Sequence, residues 1–202
     1  WMALTWRARL QPGERVLVLG GGGAVGQTAI GAARLLGAGQ VVAACRSRDA
    51  ADRAAAAGAD EVVVLGEQPD LVAQLLASCA GEVDVVVDPV FGAIAEAAVH
   101  VLAPGGRLVN LGSAAGEEAT FSSALVRSRS LEVLGYTNNA LSVEQRRAAV
   151  VAIAGHAAAG RLGVAREVRS LEDIAQVWGR QASGDSAVRF VLRPGRHTSS
   201  SS

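Results

Sequence analysis

Four consecutive glycines, Gly20-Gly21-Gly22-Gly23, stand between an apolar run, Val16-Leu17-Val18-Leu19, and a small-residue stretch, Ala24-Val25-Gly26-Gln27-Thr28-Ala29-Ile30. Residues of these types at this spacing can hold a diphosphate on backbone amides. One glycine lets the chain turn tightly off a strand end, where a Cβ would clash. A second leaves the backbone bare to a pyrophosphate, and a third lets a helix pack close to the strand. The helix N-terminus then offers free N–H groups and a partial positive charge to the phosphates. Two registers fit, Gly21-x-Gly23-x-x-Gly26 and Gly20-x-x-Gly23-x-x-Gly26, and both share Gly23 and Gly26.

A second group of residues bears on which nucleotide is held. The β-branched and alanine run Gln40–Cys45 ends in Arg46-Ser47-Arg48. In a dinucleotide site this is where the adenosine ribose lies, and an NAD-preferring site places Asp or Glu there to accept from the 2′-hydroxyl. No acid follows Cys45 before Asp49. Two guanidiniums flanking a serine suit a 2′-phosphate, which takes forked charged donors. The reading is therefore NADP(H); the alternative is that Arg46 and Arg48 are solvated loop charges. Further on, Val83–Val87 runs into Asp88-Pro89-Val90-Phe91-Gly92, and Arg107–Leu111 runs into Gly112-Ser113. Carboxyl ends of parallel strands line the ligand crevice, which places Asp88, Val90 and Gly112 at the ribose and nicotinamide end. Asp88 as a helix cap and Gly112 as a plain turn glycine are the alternatives.

Other chemistries are poorly supplied. All 19 basic residues are arginine, so Schiff-base catalysis has no lysine to use. His100, His156 and His197 are scattered and read as structural or inert, and Tyr136 is the single tyrosine. Cys45 and Cys79 lie in apolar surroundings and read as small buried hydrophobes, with no cluster of metal ligands nearby. The chain is set to bind the carrier of a hydride and shows no acid or base of its own.

The 202 residues are half hydrophobic, and the 19 acids balance the arginines. Neither nucleic acid nor an anionic membrane is expected as a partner. Val16–Ala33 carries no charge, but four adjacent glycines would cripple a spanning helix. A reducing, cytoplasmic setting is the default.

Apolar runs and helical patterns alternate with short turns through 15–159: strands at Arg15–Leu19, Gln40–Cys45, Glu61–Leu65, Val83–Val87, Arg107–Leu111 and Leu131–Gly135. Helices are expected at about Ala24–Leu36, from an Asp49 cap through Ala57, at Asp70–Cys79 with Pro69 in the first turn, at Ile94–Leu102 stopped by Pro104-Gly105-Gly106, and as a long amphipathic Glu144–Ala159. That alternation predicts an α/β fold, a doubly wound six-stranded parallel sheet with helices on both faces. Residues 1–10 also look helical and join this domain, 1–159. The segment 160–194 reads strand (Val164–Val168), helix (Leu171–Gln181), strand (Val188–Leu192), and 195–202 is a serine-rich tail expected to be disordered.

Leu10-Gln11-Pro12-Gly13-Glu14-Arg15-Val16-Leu17-Val18, Leu36-Gly37-Ala38, Gly58-Ala59-Asp60, Asp84-Val85-Val86-Val87-Asp88-Pro89-Val90-Phe91-Gly92 and Leu102-Ala103-Pro104-Gly105-Gly106-Arg107-Leu108-Val109, in that order, resemble the medium-chain dehydrogenase/reductase superfamily. Asp-Pro-Val-x-Gly is similar to its quinone oxidoreductase branch, which works without zinc. The resemblance implies a cofactor domain whose N-terminal GroES-like partner precedes Trp1, with 160–194 as the segment that returns to complete it. An isolated chain of this kind would bind cofactor weakly and turn over little. The resemblance also implies that Gly23, Ala24 and Val25 form the pyrophosphate turn and that Arg46-Ser47-Arg48 take the adenosine phosphate. Arg189 would reach the pyrophosphate, and Gly135–Asn139 would pass near the nicotinamide. A small-molecule substrate and a homodimer through the edge of the sixth strand follow by the same resemblance. A zinc-dependent alcohol dehydrogenase, whose metal ligands would lie mostly outside this stretch, a nucleotide-sensing module and a methyltransferase are the rival readings.

Overall fold

A computed structural model describes residues 1–65, 70–183 and 188–195. It divides into two compact units, Trp1–Gly163 and Val164–Ser202. The first unit opens with a single π-helical turn, Ala3–Arg7. Then follow β1 (Arg15–Leu19), α1 (Ala24–Leu35), β2 (Gln40–Cys45), α2 (Arg48–Ala56), β3 (Glu61–Val64), α3 (Leu71–Ser78), β4 (Val83–Asp88), α4 (Ala93–Ala98), β5 (Leu102–Asn110), α5 (Ser123–Arg129), β6 (Glu132–Gly135) and α6 (Val143–Ala158). The six strands are all parallel in the order β3-β2-β1-β4-β5-β6. This is the doubly wound arrangement expected, with its switch point between β1 and β4. Successive β1 residues feed opposite faces. Val16 and Val18 join a core with α1 and α2, while Leu17 and Leu19 join a second core with α3 and α4. A strand covered on both sides has no polar face, which is why the strand runs are apolar throughout.

Three expectations are corrected and one element is added. Ser47, not Asp49, caps α2; its hydroxyl accepts from the Ala50 N–H at 3.3 Å. Pro104-Gly105-Gly106 does not stop a helix. α4 ends at Ala98, a 3-10 turn covers Val99–Val101, and β5 is already under way at Leu102. The glycines serve a register shift there: Val83 pairs with Leu102 and Val85 with Arg107, and Gly105 takes φ +76°. The helix α5 is an addition to the expected elements; Ser122 caps it, no residue of it is fully buried, and Leu125 and Val126 rest half-buried on the second core. Finally, α6 is not amphipathic in use: it buries Ala149 alone and exposes Val143, Val150 and Val151.

The second unit holds β7 (Arg166–Ser170), a 3-10 turn (Leu171–Asp173), α7 (Ile174–Ala182) and β8 (Arg189–Arg193). β7 and β8 form a two-stranded parallel sheet. Pro69 and the tail beyond Gly195 lie outside the described residues.

Candidate dinucleotide site

The glycines at the end of β1 divide the roles that the sequence could only group. Gly20 turns the chain in a left-handed conformation, φ +64°. A Cβ on Gly21 would stand 2.7 Å from the Ala43 Cβ of β2, and one on Gly22 would stand 2.4 Å from the Ala50 carbonyl oxygen of α2. A Cβ on Gly26 would meet the Gly20 carbonyl oxygen at 2.3 Å. These four positions are sterically closed. Gly23 differs: it is exposed, it is the N-cap of α1 with ordinary extended dihedrals, and its nearest obstacle would be 3.4 Å away. The first-turn amides of any helix lack intrahelical acceptors, and no side chain caps those of α1, where Gly23 and Val25 are exposed and Ala24 is half-buried. The bare turn with uncapped donors behind it fits a diphosphate.

The peptide between Gly22 and Gly23 is held firmly. The Gly22 carbonyl accepts from Gln27 Nε2 at 2.9 Å and from Arg53 Nε at 3.0 Å, and the Gly23 N–H donates to the Gly20 carbonyl at 3.0 Å. Neither Gln27 nor Arg53 is among the site residues expected from sequence. Their signal there is a polar residue in the first turn of an apolar helix and a lone arginine inside an alanine run.

The β2–α2 corner abuts this turn, because the Gly21 N–H donates to the Ala44 carbonyl at 3.0 Å. Arg46, Ser47 and Arg48 are exposed on that corner. Beneath it, burial pushes the Cys45 thiol up, against the pull of the Gly22 amide, the Arg53 charge and the Gly21 amide. Cys79, buried on the other face, is pushed up to about 11 by burial. Both are free thiols.

At the ends of β4 and β5, Asp88 is fully buried. Its Oδ1 accepts from the Val90 and Phe91 N–H groups at 3.0 and 2.8 Å, and its Oδ2 accepts from Asn110 Nδ2 at 3.3 Å. Asp88 therefore caps its own loop; the N-cap of α4 is Gly92. Asn110, which carries no motif of its own, also donates to the Gly112 carbonyl at 2.8 Å and so ties the β5 loop to the β4 loop. Gly112 lies close against Pro89: a Cβ there would be 3.1 Å from the Pro89 carbonyl oxygen. Val90 backs onto the glycine turn, its Cγ1 3.0 Å from where a Gly20 Cβ would be. The loops after β1, β4 and β5 are thus one packed rim. The β6 loop joins it through the Tyr136 N–H, which donates to the Asn110 carbonyl at 2.9 Å. Arg189 stands in the second unit, opposite Arg166 in the β7–β8 register.

Residues 24–167 match the family described as zinc-binding dehydrogenase. A phenolphthiocerol/phthiocerol polyketide synthase polypeptide of Mycobacterium tuberculosis is 31% identical over 204 residues, which cover 98% of this chain and 9% of that protein. Among solved structures, an NAD-dependent alcohol dehydrogenase has 30% identity and TM-score 0.79, over 96% of this chain and 55% of that one. The quinone oxidoreductase of Thermus thermophilus, solved also in complex with NADPH, has 27% identity and TM-score 0.76, over 95% of this chain and 61% of that one. The chain therefore spans only part of each of these proteins.

Proposed function

The chain belongs to the zinc-binding dehydrogenase family, within the medium-chain dehydrogenase/reductase superfamily, and from that premise we propose that it binds NADP(H) for an oxidoreductase of quinone oxidoreductase type. When bound, the nicotinamide supplies hydride exchange with a quinone, a carbonyl or a conjugated alkene. The chain's own residues bind and orient. The first-turn amides of α1 around Gly23, Ala24 and Val25 take the diphosphate, and Arg46, Ser47 and Arg48 take the 2′-phosphate. The rim built by Asp88, Val90 and Gly112 borders the nicotinamide end. Among the described residues no group of three or more His, Cys, Asp or Glu is arranged to hold a metal ion.

The observation that carries this reading is the exposed Arg46-Ser47-Arg48 corner beside the open turn, with no acid before Asp49. A second reading, NAD, is favoured by the likeness to the NAD-dependent alcohol dehydrogenase. Titrating the chain with NADPH, NADH and S-adenosylmethionine separates the classes. Tightest binding of NADPH is expected; preference for NADH selects the second reading, and preference for S-adenosylmethionine removes both.

The reading includes a small-molecule substrate, a cytoplasmic setting and a homodimer through the free edge of β6. Two free thiols suit a reducing compartment. The dimer is supported by the terminal place of β6 in the sheet and by Val133, 43% exposed on it. No helix among the described residues is long and apolar enough to cross a membrane.

A further inference from the structure

Arg53 lies five residues beyond Arg48, on the side of α2 that meets the glycine turn. α2 can come this close because the residues facing the turn are small: Ala50, Ala51 and Ala54 are its buried positions. The contact leaves no room for a side chain on Gly22, whose Cβ would stand 2.5 Å from the Ala50 Cα. Into this junction Arg53 sends one Nε–H, at 3.0 Å from the Gly22 carbonyl oxygen. Gln27 donates to the same oxygen from α1 at 2.9 Å. The other edge of the same peptide plane, the Gly23 N–H, is bonded to Gly20 at 3.0 Å. Three hydrogen bonds, one from α1, one from α2 and one within the turn itself, therefore fix the peptide that leads into the N-cap of α1.

From this arrangement we infer that Arg53 is a positioning residue for the diphosphate: it clamps the glycine turn to α2 and holds the α1 amides in their ligand-accepting orientation. The inference rests on the nucleotide reading above. It works by pre-organisation. A run of four glycines is the most freely moving backbone a chain can have, and ordering it on binding would weaken affinity. A charged donor on the Gly22 carbonyl is stronger than a neutral one and removes much of that freedom before the ligand arrives. The clamp acts on the part of the nucleotide that NADPH and NADH share. Its loss must weaken both alike, unlike loss of Arg46 and Arg48.

The test is a fluorescence titration of NADPH and NADH against the full chain and its R53M, R53K and R53Q variants, with thermal melts alongside. R53M is expected to raise the Kd of both nucleotides by the same factor, about ten-fold, with the NADPH-to-NADH ratio unchanged. R53K, which keeps the charge but not the Nε–H, is expected to recover part of the loss. A merely structural role would lower the melting temperature and leave both Kd values where they were, and that result overturns the inference. So does a loss confined to NADPH. Should R53M fail to fold, R53K and R53Q decide: raised Kd for both nucleotides in each supports the clamp, and wild-type values overturn it. A wild-type chain that binds neither nucleotide overturns the nucleotide reading itself, a result distinct from normal wild-type binding that the variants leave unchanged.

Discussion

Gly23 and Gly26 are both glycines because of space, but of opposite kinds. At Gly26 the space is already taken by the backbone of Gly20 and Gly21, the latter's Cα 2.6 Å from a Cβ. At Gly23 a Cβ would meet nothing nearer than the Gly20 carbonyl oxygen at 3.4 Å, and in the proposed reading that room is the diphosphate's. Gly26→Ala must push backbone apart and is expected to cost about 1–3 kcal/mol of stability, with binding lost alongside. Gly23→Ala keeps φ −75° and ψ 166°, which alanine adopts freely. It should cost no more than about 1 kcal/mol yet, on the proposed reading, weaken nucleotide binding strongly, because its methyl group would stand where the diphosphate is proposed to approach. Melting curves and titrations of the two variants check this; equal stability losses in both would contradict it. The type of residue at these positions was legible in the sequence, but the division of labour was not, since four adjacent glycines support two registers. The roles of Arg53 and Asn110 were hidden for another reason. The bonds that matter run to main-chain carbonyls, and main-chain acceptors leave no mark in a sequence.

Among the elements, β5 is held by a pair that its motif hides. Arg107, in the glycine-containing stretch of β5, forks onto Glu14 before β1 with bonds of 2.9 and 2.8 Å, and its Nε donates to the Ala8 carbonyl at 3.0 Å. One side chain thus joins the opening turn of the chain, the approach to β1 and the middle of β5. Burial alone would raise the Glu14 carboxyl, but hydrogen bonds from Arg107 and the Gln11 amide, with the Arg107 charge, outweigh it and hold the group below its ordinary value. A carboxyl depressed in the folded state contributes stability above its unfolded pKa and loses it as pH falls through the folded one. Glu14→Gln should therefore be less stable than wild type by about 1–2 kcal/mol at neutral pH. The gap should close as pH drops below the ordinary glutamate range. Denaturant melts across that range read it, and a gap that is constant with pH would contradict the account. Strands β1, β2 and β4 were legible because burial on both faces leaves an unbroken apolar run. The start of β5 was not, because Pro104-Gly105-Gly106 has the composition of a helix stop while serving a strand irregularity. α6 misled in the other direction: its valines promise a buried stripe, and three of them are exposed.

At the scale of the molecule, the six-stranded sheet has two edges, β3 and β6. Burial alternates along β6, with Val133 and Gly135 on the exposed side. A terminal strand with one edge unpaired and a valine exposed is a template for a second copy. Sedimentation of the full chain should show a dimer, and Val133→Lys should shift it toward monomer with the fold intact; a wild-type monomer at all concentrations would contradict dimerisation through this edge. The doubly wound class was legible from alternation plus the glycine turn after the first strand, but the order β3-β2-β1-β4-β5-β6 was not, because spacing along the chain does not say which strands are neighbours. The account's central claim, that two guanidiniums beside that turn select the phosphorylated nucleotide, is tested most directly by titrating NADPH and NADH against wild type and the Arg46→Ala, Arg48→Ala double variant. The account predicts that NADPH affinity falls by on the order of a hundred-fold, as two charge-assisted contacts are lost, while NADH affinity changes by less than about three-fold. An equal change for both nucleotides, or no change for NADPH, would contradict it.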